Sequence, residues 1–154
     1  MREVKKSTEI VHLDLTQNNL SAKSAKRVFK SLMSNQSVIS LRIGNTENDM
    51  KNKLGVIAVP KLNSFLRQSQ ILTFLDLRST NLTDAGIELL SEGLVDNKTI
   101  LYLNLSKNDI TCSGMEPFAP ILPKTAITEL DLSMNPLGNN GVIVFAENGL
   151  FAKK

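Results

Sequence analysis

Cys112 is the only cysteine in the chain, so an internal disulfide and any cluster built on paired thiolates are excluded. His12 is the only histidine, tryptophan is absent, and aromatic residues make up just 5% of the sequence. A Cys-His catalytic pair is disfavoured: His12 lies in the first predicted strand, and Cys112 falls about three strand spacings away, roughly 14 Å. No Walker-type phosphate loop and no zinc-ligand spacing occurs. The sequence therefore points to no enzyme and assigns no catalytic, cofactor-binding or metal-ligating residue. With so few aromatics, Leu, Ile and Val carry the apolar load, which suits a regular core of branched side chains and not a deep ligand pocket. No stretch approaches ~18 consecutive apolar residues, and no apolar run of signal-peptide length follows Met1. The expectation is a reducing cytoplasmic setting, with the nucleus as the alternative compartment, and no membrane partner.

Charge excess is also small. The formal balance is +3, with the basic residues gathered at Arg2, Lys5 and Lys6 and then at Lys23, Lys26, Arg27 and Lys30. Positions 23, 27 and 30 share one face of a predicted helix, while Ala25, Val28 and Leu32 occupy the other. No interleaved aromatics accompany the basic stripe, so it reads as a solvated outer face, and no nucleic-acid partner is expected.

What the chain has in abundance is repetition. An aliphatic residue followed three positions on by Leu, and two further by another aliphatic, occurs at Ile10-x-x-Leu13-x-Leu15, Val38-x-x-Leu41-x-Ile43, Leu72-x-x-Leu75-x-Leu77, Ile100-x-x-Leu103-x-Leu105 and Ile127-x-x-Leu130-x-Leu132. The central leucines stand at 13, 41, 75, 103 and 130, giving steps of 28, 34, 28 and 27 residues, a period that belongs to stacked structural repeats. Each run reads as a short strand, since its apolar residues alternate with polar ones. A turn rich in Asn and Ser follows, and then the period changes to that of a helix, as in Ala25, Val28, Phe29 and Leu32 with Ser21 placed to cap.

The pattern LxxLxLxxNxL, with a full helix per unit and Gly86, Gly114 and Gly141 near three helix starts, resembles the ribonuclease-inhibitor-type leucine-rich repeat. The resemblance covers about residues 10–150. It implies an α/β solenoid of five strand-helix repeats, with a parallel sheet on the concave face and helices on the convex face. The whole chain, 1–154, is expected to form one such domain, with repeats at about 10–37, 38–71, 72–99, 100–126 and 127–154 after an extension at 1–9. In this family the turn asparagines, here Asn18, Asn108 and Asn135, bond the turn backbone of the adjacent unit and are structural.

Three departures stand out. The second unit carries a six-residue insertion within Gly44–Lys51, read as a polar, flexible rim loop, and insertions of this kind often mark the binding rim. In the third unit Thr80 replaces the expected Asn, which predicts a looser corner. In the fourth, Pro117, Pro120 and Pro123 predict a short or irregular helix over about 115–121. The chain ends without an obvious polar capping segment, so the terminal repeat is expected to be truncated, partnered, or capped by its last helix, with self-association as one outcome.

Outward-facing strand positions form three columns: His12, Ser40, Phe74, Tyr102 and Glu129; Asp14, Arg42, Asp76, Asn104 and Asp131; and Thr16, Gly44, Arg78, Ser106 and Ser133. Phe74 and Tyr102 become neighbouring aromatics on a polar face, and Tyr is favoured at interface hot spots. The expected function is a non-catalytic protein-protein interaction scaffold. The contact residues are Phe74, Tyr102 and Arg78, with Arg42, Asp76, Glu129 and Asp131 around them and Glu47 and Asp49 on the insertion. Five strands offer only ~230 Å², against the ~800 Å² per partner of a standard interface, so rim loops must also take part. The alternative is a regulator of a small GTPase, because Ran GTPase-activating proteins are similar to this repeat type, although no loop motif specific to them is found.

Overall fold

The computed structural model describes residues 8–46 and 50–150. Five three-residue strands, β1 (His12–Asp14), β2 (Ser40–Arg42), β3 (Phe74–Asp76), β4 (Tyr102–Asn104) and β5 (Glu129–Asp131), form one sheet in sequence order. Every neighbouring pair is parallel, and Leu13, Leu41, Leu75, Leu103 and Leu130 are register partners. Four α-helices return the chain between strands, α1 (Ala22–Leu32), α2 (Gly55–Gln68), α3 (Thr83–Leu94) and α4 (Cys112–Phe118), and a fifth, α5 (Gly138–Phe145), follows β5. Such crossovers are what parallel strands require.

The core lies between the sheet and the helices. Leu41, Ile43, Leu72, Leu75, Leu77, Leu103 and Leu105 are fully buried against Phe29, Leu62, Leu66, Leu90 and Phe118, each aliphatic contributing about 1.5–3 kcal/mol of burial. No strand-helix pair could hide these side chains alone, so the units are stable only when stacked. Burial is uneven along the stack: Leu13, Leu15, Leu130 and Leu132 in the end strands are only partly covered.

Helix starts divide into two kinds. Ser21 caps α1, its hydroxyl accepting from the Ser24 N–H, and Thr111 caps α4 by accepting from Ser113. Gly55, Thr83 and Gly138 open the other helices with φ of 53°, 60° and 62°, the left-handed region that glycine tolerates and a β-branched Thr does not favour. In the fourth unit α4 starts earlier than expected, at Cys112, and ends at Phe118, and a 3₁₀ helix takes over from Ala119 to Lys124. Pro120 and Pro123 have no N–H to give an α-helical ladder, and the tighter winding accommodates them.

Two expectations need correction. The corner at Thr80 is not loose: Thr80 is fully buried, its hydroxyl donates to the Leu77 carbonyl at 2.7 Å, and its own carbonyl accepts from Leu54 and Gly55, both at 3.1 Å. Nor is the start of the insertion a solvated excursion. Gly44 and Asn45 are buried, and a Cβ on Gly44 would stand 2.7 Å from the Asp76 carboxylate and 2.8 Å from the Arg78 backbone nitrogen.

Candidate functional site

The turn that closes each strand is built by one side chain reaching across units. Asn108 accepts the backbone N–H of Thr80 (3.0 Å) and Leu82 (3.2 Å) while donating to the carbonyls of Leu77 and Leu105. Asn135 does the same for Asn108 and Ile110, and Asn52 for Asn18 and Leu20. Asn18, expected in the same role, is exposed and donates only to Thr16 in its own turn, because among the described residues no strand lies on the outer side of β1. These asparagines pair amides that a sharp corner would otherwise leave unsatisfied.

The strand face is ordered by a second set of local bonds. Asp14, Asp76, Asn104 and Asp131 each accept the N–H two residues on, from Thr16, Arg78, Ser106 and Ser133, all at 2.9 Å. Arg42 holds the equivalent place in β2 and cannot accept. Its guanidinium instead lies 5.1 Å from the centroid of the Phe74 ring and 4.0 Å from the Asp14 carboxylate.

Phe74 and Tyr102 stack at a centroid separation of 4.2 Å with their planes 2° apart. In-register side chains on parallel strands sit about 4.8 Å apart, so flat rings on adjacent strands meet face to face. Both rings are half-exposed. Arg42, Phe74 and Tyr102 thus form a continuous stack across β2, β3 and β4. An open hollow over the sheet is lined by this stack together with Asp14, Thr16, Thr46, Asp76, Arg78 and Asn104.

The first two outward columns of the sequence reading are reproduced in the register of the sheet. Ser40, Asn104 and Ser106 are nevertheless buried, the last two bonded to each other through the Asn104 amide oxygen. Asp131 is hydrogen-bonded to Asn104 at 3.1 Å. Partial burial would raise its pKa, but the hydrogen bonds from the Ser133 side chain and backbone, the Arg78 charge and the Asn104 amide outweigh that and hold it below the ordinary 3.8. Arg78 is half-buried, and its Nε has no hydrogen-bond partner. Glu129 is exposed at the edge of the face. Glu47 and Asp49 lie outside the described residues. Thr46, which the sequence reading passed over, lines the hollow, and its signal was membership of the inserted segment. Among the described residues no group of three or more His, Cys, Asp or Glu side chains could hold a metal ion, and no helix is long and apolar enough to cross a membrane.

Comparison with known proteins agrees with this geometry. A family model described as "Leucine Rich repeat" matches residues 68–91, 96–119 and 125–146. Among curated relatives, NACHT, LRR and PYD domains-containing protein 12 of Mus musculus is 32% identical over 145 residues, covering 90% of this chain and 13% of its own length. The human NACHT, LRR and PYD domains-containing protein 14 is 28% identical over 141 residues, covering 90% of this chain and 12% of its own. Ribonuclease inhibitor of Sus scrofa is 37% identical over 91 residues, covering 56% of this chain and 19% of the inhibitor. The chain therefore spans less than a quarter of the length of these relatives. Among solved structures, leiomodin-1 actin-binding site 2 superposes with a TM-score of 0.77 at 17% identity, covering 95% of this chain and 85% of that one, a likeness of fold. The repeats, the in-register parallel sheet and the asparagine corners make this chain a leucine-rich-repeat protein of the ribonuclease-inhibitor-like type.

Proposed function

We propose that this chain is a non-catalytic binding segment whose concave strand face, together with the strand-to-helix rim at the inserted segment, receives another protein. The observation that carries this reading is the half-exposed Arg42–Phe74–Tyr102 stack on a face whose other outward side chains are polar or charged. Stacked aromatics hold their shape at little entropic cost and are the residue type in which interface energy concentrates. Thr46 on the rim of the same hollow continues the surface toward the insertion, which supplies area the strands lack. That related proteins are named as a ribonuclease inhibitor and an actin-binding site supports a protein as the ligand class.

The test is photo-cross-linking from Phe74 and Thr46 to find the partner, followed by affinity measurement with Phe74→Ala and Tyr102→Ala. Each should weaken binding about tenfold or more, whereas Lys23→Ala on the convex side should not. Unchanged affinity in both alanine variants rejects the reading. A stimulated GTP hydrolysis by a small GTPase, lost on changing Arg42 or Arg78, would turn it toward the GTPase-regulator alternative.

The lone Cys112, unpaired and half-buried, fits a cytoplasmic or nuclear setting. Self-association belongs to the same reading. The fifth repeat, 127–154, contains Glu129, Asp131 and Glu147 against Lys153 and Lys154, while residues 10–37 contain Lys23, Lys26, Arg27 and Lys30 against Asp14. A second copy would thus stack head to tail over the partly covered Ile127, Leu130 and Leu132. Sedimentation that stays monomeric at high concentration and low salt excludes it.

A further inference from the structure

We propose that the face of Tyr102 turned toward β5 is a docking position for an arginine side chain from a basic protein segment, with Glu129 as its counter-charge. This rests on the concave-face reading above and names the chemistry that the face accepts. The stack is finished on one side only. On the β2 side the chain supplies its own guanidinium, Arg42, over Phe74; Phe74 covers one face of Tyr102, and among the described residues no ring or cation stacks on the other. The register partner of Tyr102 on β5 is Glu129, a carboxylate where the stack's next planar group would stand.

Charge points the same way. The face carries Asp14, Asp76, Glu129 and Asp131 against Arg42 and Arg78, an excess of two negative charges. Three of the four carboxylates are already engaged: Asp14 by the Thr16 N–H and Arg42, Asp76 by the Arg78 N–H, and Asp131 by Ser133, Asn104 and the Arg78 charge. Glu129 is exposed, and its carboxylate has no hydrogen bond or ion pair among the described residues. A ring face beside a free carboxylate favours a cation, and a planar guanidinium satisfies both partners at once by stacking and by paired N–H donation. Lysine, a hydrated point charge, satisfies them less well.

The probe is a short glycine- and serine-flanked peptide with one central arginine, titrated into the full chain and followed by NMR, with lysine and neutral citrulline peptides as controls. The expected result is an upfield ring-current shift of the arginine δ-methylene protons, with amide shifts confined to β4 and β5. Citrulline should give none, and lysine should bind several-fold more weakly. Glu129→Gln, at an exposed position that leaves the fold intact, should weaken the arginine peptide about fivefold, and Tyr102→Leu should abolish the upfield shift. Equal response to citrulline, indifference to Glu129→Gln, or stronger shifts from a glutamate peptide, which would make Arg42 and Arg78 the readers, each overturns the proposal. A protein partner that cross-links to Phe74 or Thr46 and is insensitive to Glu129→Gln overturns arginine docking while leaving concave-face binding in place. Absence of concave-face cross-links removes the broader reading instead.

Discussion

The corners after β3 and β4 stand side by side, 28 residues apart in sequence, and solve one problem in two ways. After β4, Asn108 fills the slot, fully buried, and its single amide serves five backbone groups on both its own and the preceding unit. After β3, Thr80 fills the slot, and its hydroxyl is too short to reach back to the second unit. Asn45 comes in from the insertion to do that work: it accepts the Asn52 N–H at 2.7 Å and donates to the Ser79 carbonyl at 2.6 Å and to the Asn52 carbonyl at 3.0 Å. The constraint is thus on the buried backbone groups and not on any one sequence position, since each unpaired one costs about 1–3 kcal/mol. The insertion is keyed into the solenoid at its first two residues, Gly44 and Asn45.

The largest effect should come from breaking the regular corner. Asn108→Ala leaves at least two buried N–H groups and a carbonyl without partners, and should cost about 3–5 kcal/mol, read as a lower urea midpoint with an unchanged slope. A loss under about 1 kcal/mol would show that the ladder is decorative. Breaking the irregular corner should cost less: Asn45→Ala about 2–3 kcal/mol, because Thr80 still holds its own carbonyl contacts. Thr80→Asn tests whether the two corners are interchangeable. Alone it should destabilise by about 1–2 kcal/mol, since two amides would compete for one slot, and in the Asn45→Ala background much of that cost should vanish. Strict additivity would show that Asn45 does not stand in for the missing asparagine.

A smaller contrast separates the two threonines that follow. Thr111, at φ −107°, caps α4 and bonds both oxygens of Asp84, at 2.7 Å through its N–H and 2.6 Å through its hydroxyl. Thr83 occupies the same place one unit earlier at φ 60°, strained and without a capping role. Thr111→Gly should therefore destabilise by about 1–2 kcal/mol, and Thr83→Gly should stabilise by about 1 kcal/mol, as Gly55 and Gly138 already illustrate at the equivalent positions. Thermal melts of the two variants moving in the same direction would undo the distinction.

These corners also mark how far the sequence could be read. The strands, their order and their register were legible because Leu13, Leu41, Leu75, Leu103 and Leu130 fix both period and face, and a parallel stack leaves no freedom to slip one residue without exposing them. The Phe74–Tyr102 neighbourhood followed from that register. Asn45 was not legible, because its role depends on a vacancy created by Thr80 35 residues away and becomes apparent only when the two units are side by side. Asn18 misled for the converse reason: it matches the motif, but among the described residues no unit lies beyond β1 for it to bond. The burial of Asn104 and Ser106 on an outward face was hidden too, since alternation reports direction and says nothing of what lies on top. Pro120 and Pro123 announced an irregular helix, yet not that 3₁₀ winding would carry the chain through.

The smallest expected effect lies on the face itself, in the second outward column, where β3 carries Asp76 and β4 carries Asn104. The Asn104 amide donates to Asp131 at 3.1 Å, whereas a carboxylate there could only repel it. Asp131 has a lowered pKa, so its ionised form is better held in the folded chain than in the unfolded one. That stabilisation is fully present above the ordinary value of 3.8 and is lost as pH falls through the lower folded value. Asn104→Asp makes β4 resemble β3, removes a donor and adds a negative neighbour, and so should raise the Asp131 midpoint in an NMR titration and move the onset of acid destabilisation to higher pH. Arg78→Gln should move it the same way, by less, because it only removes one favourable charge, whereas Asn104→Asp both removes a donor and adds a repelling carboxylate. The Arg78 dependence should fade in high salt while the Asn104 dependence persists, which separates a direct hydrogen bond from a through-space charge at the same carboxylate.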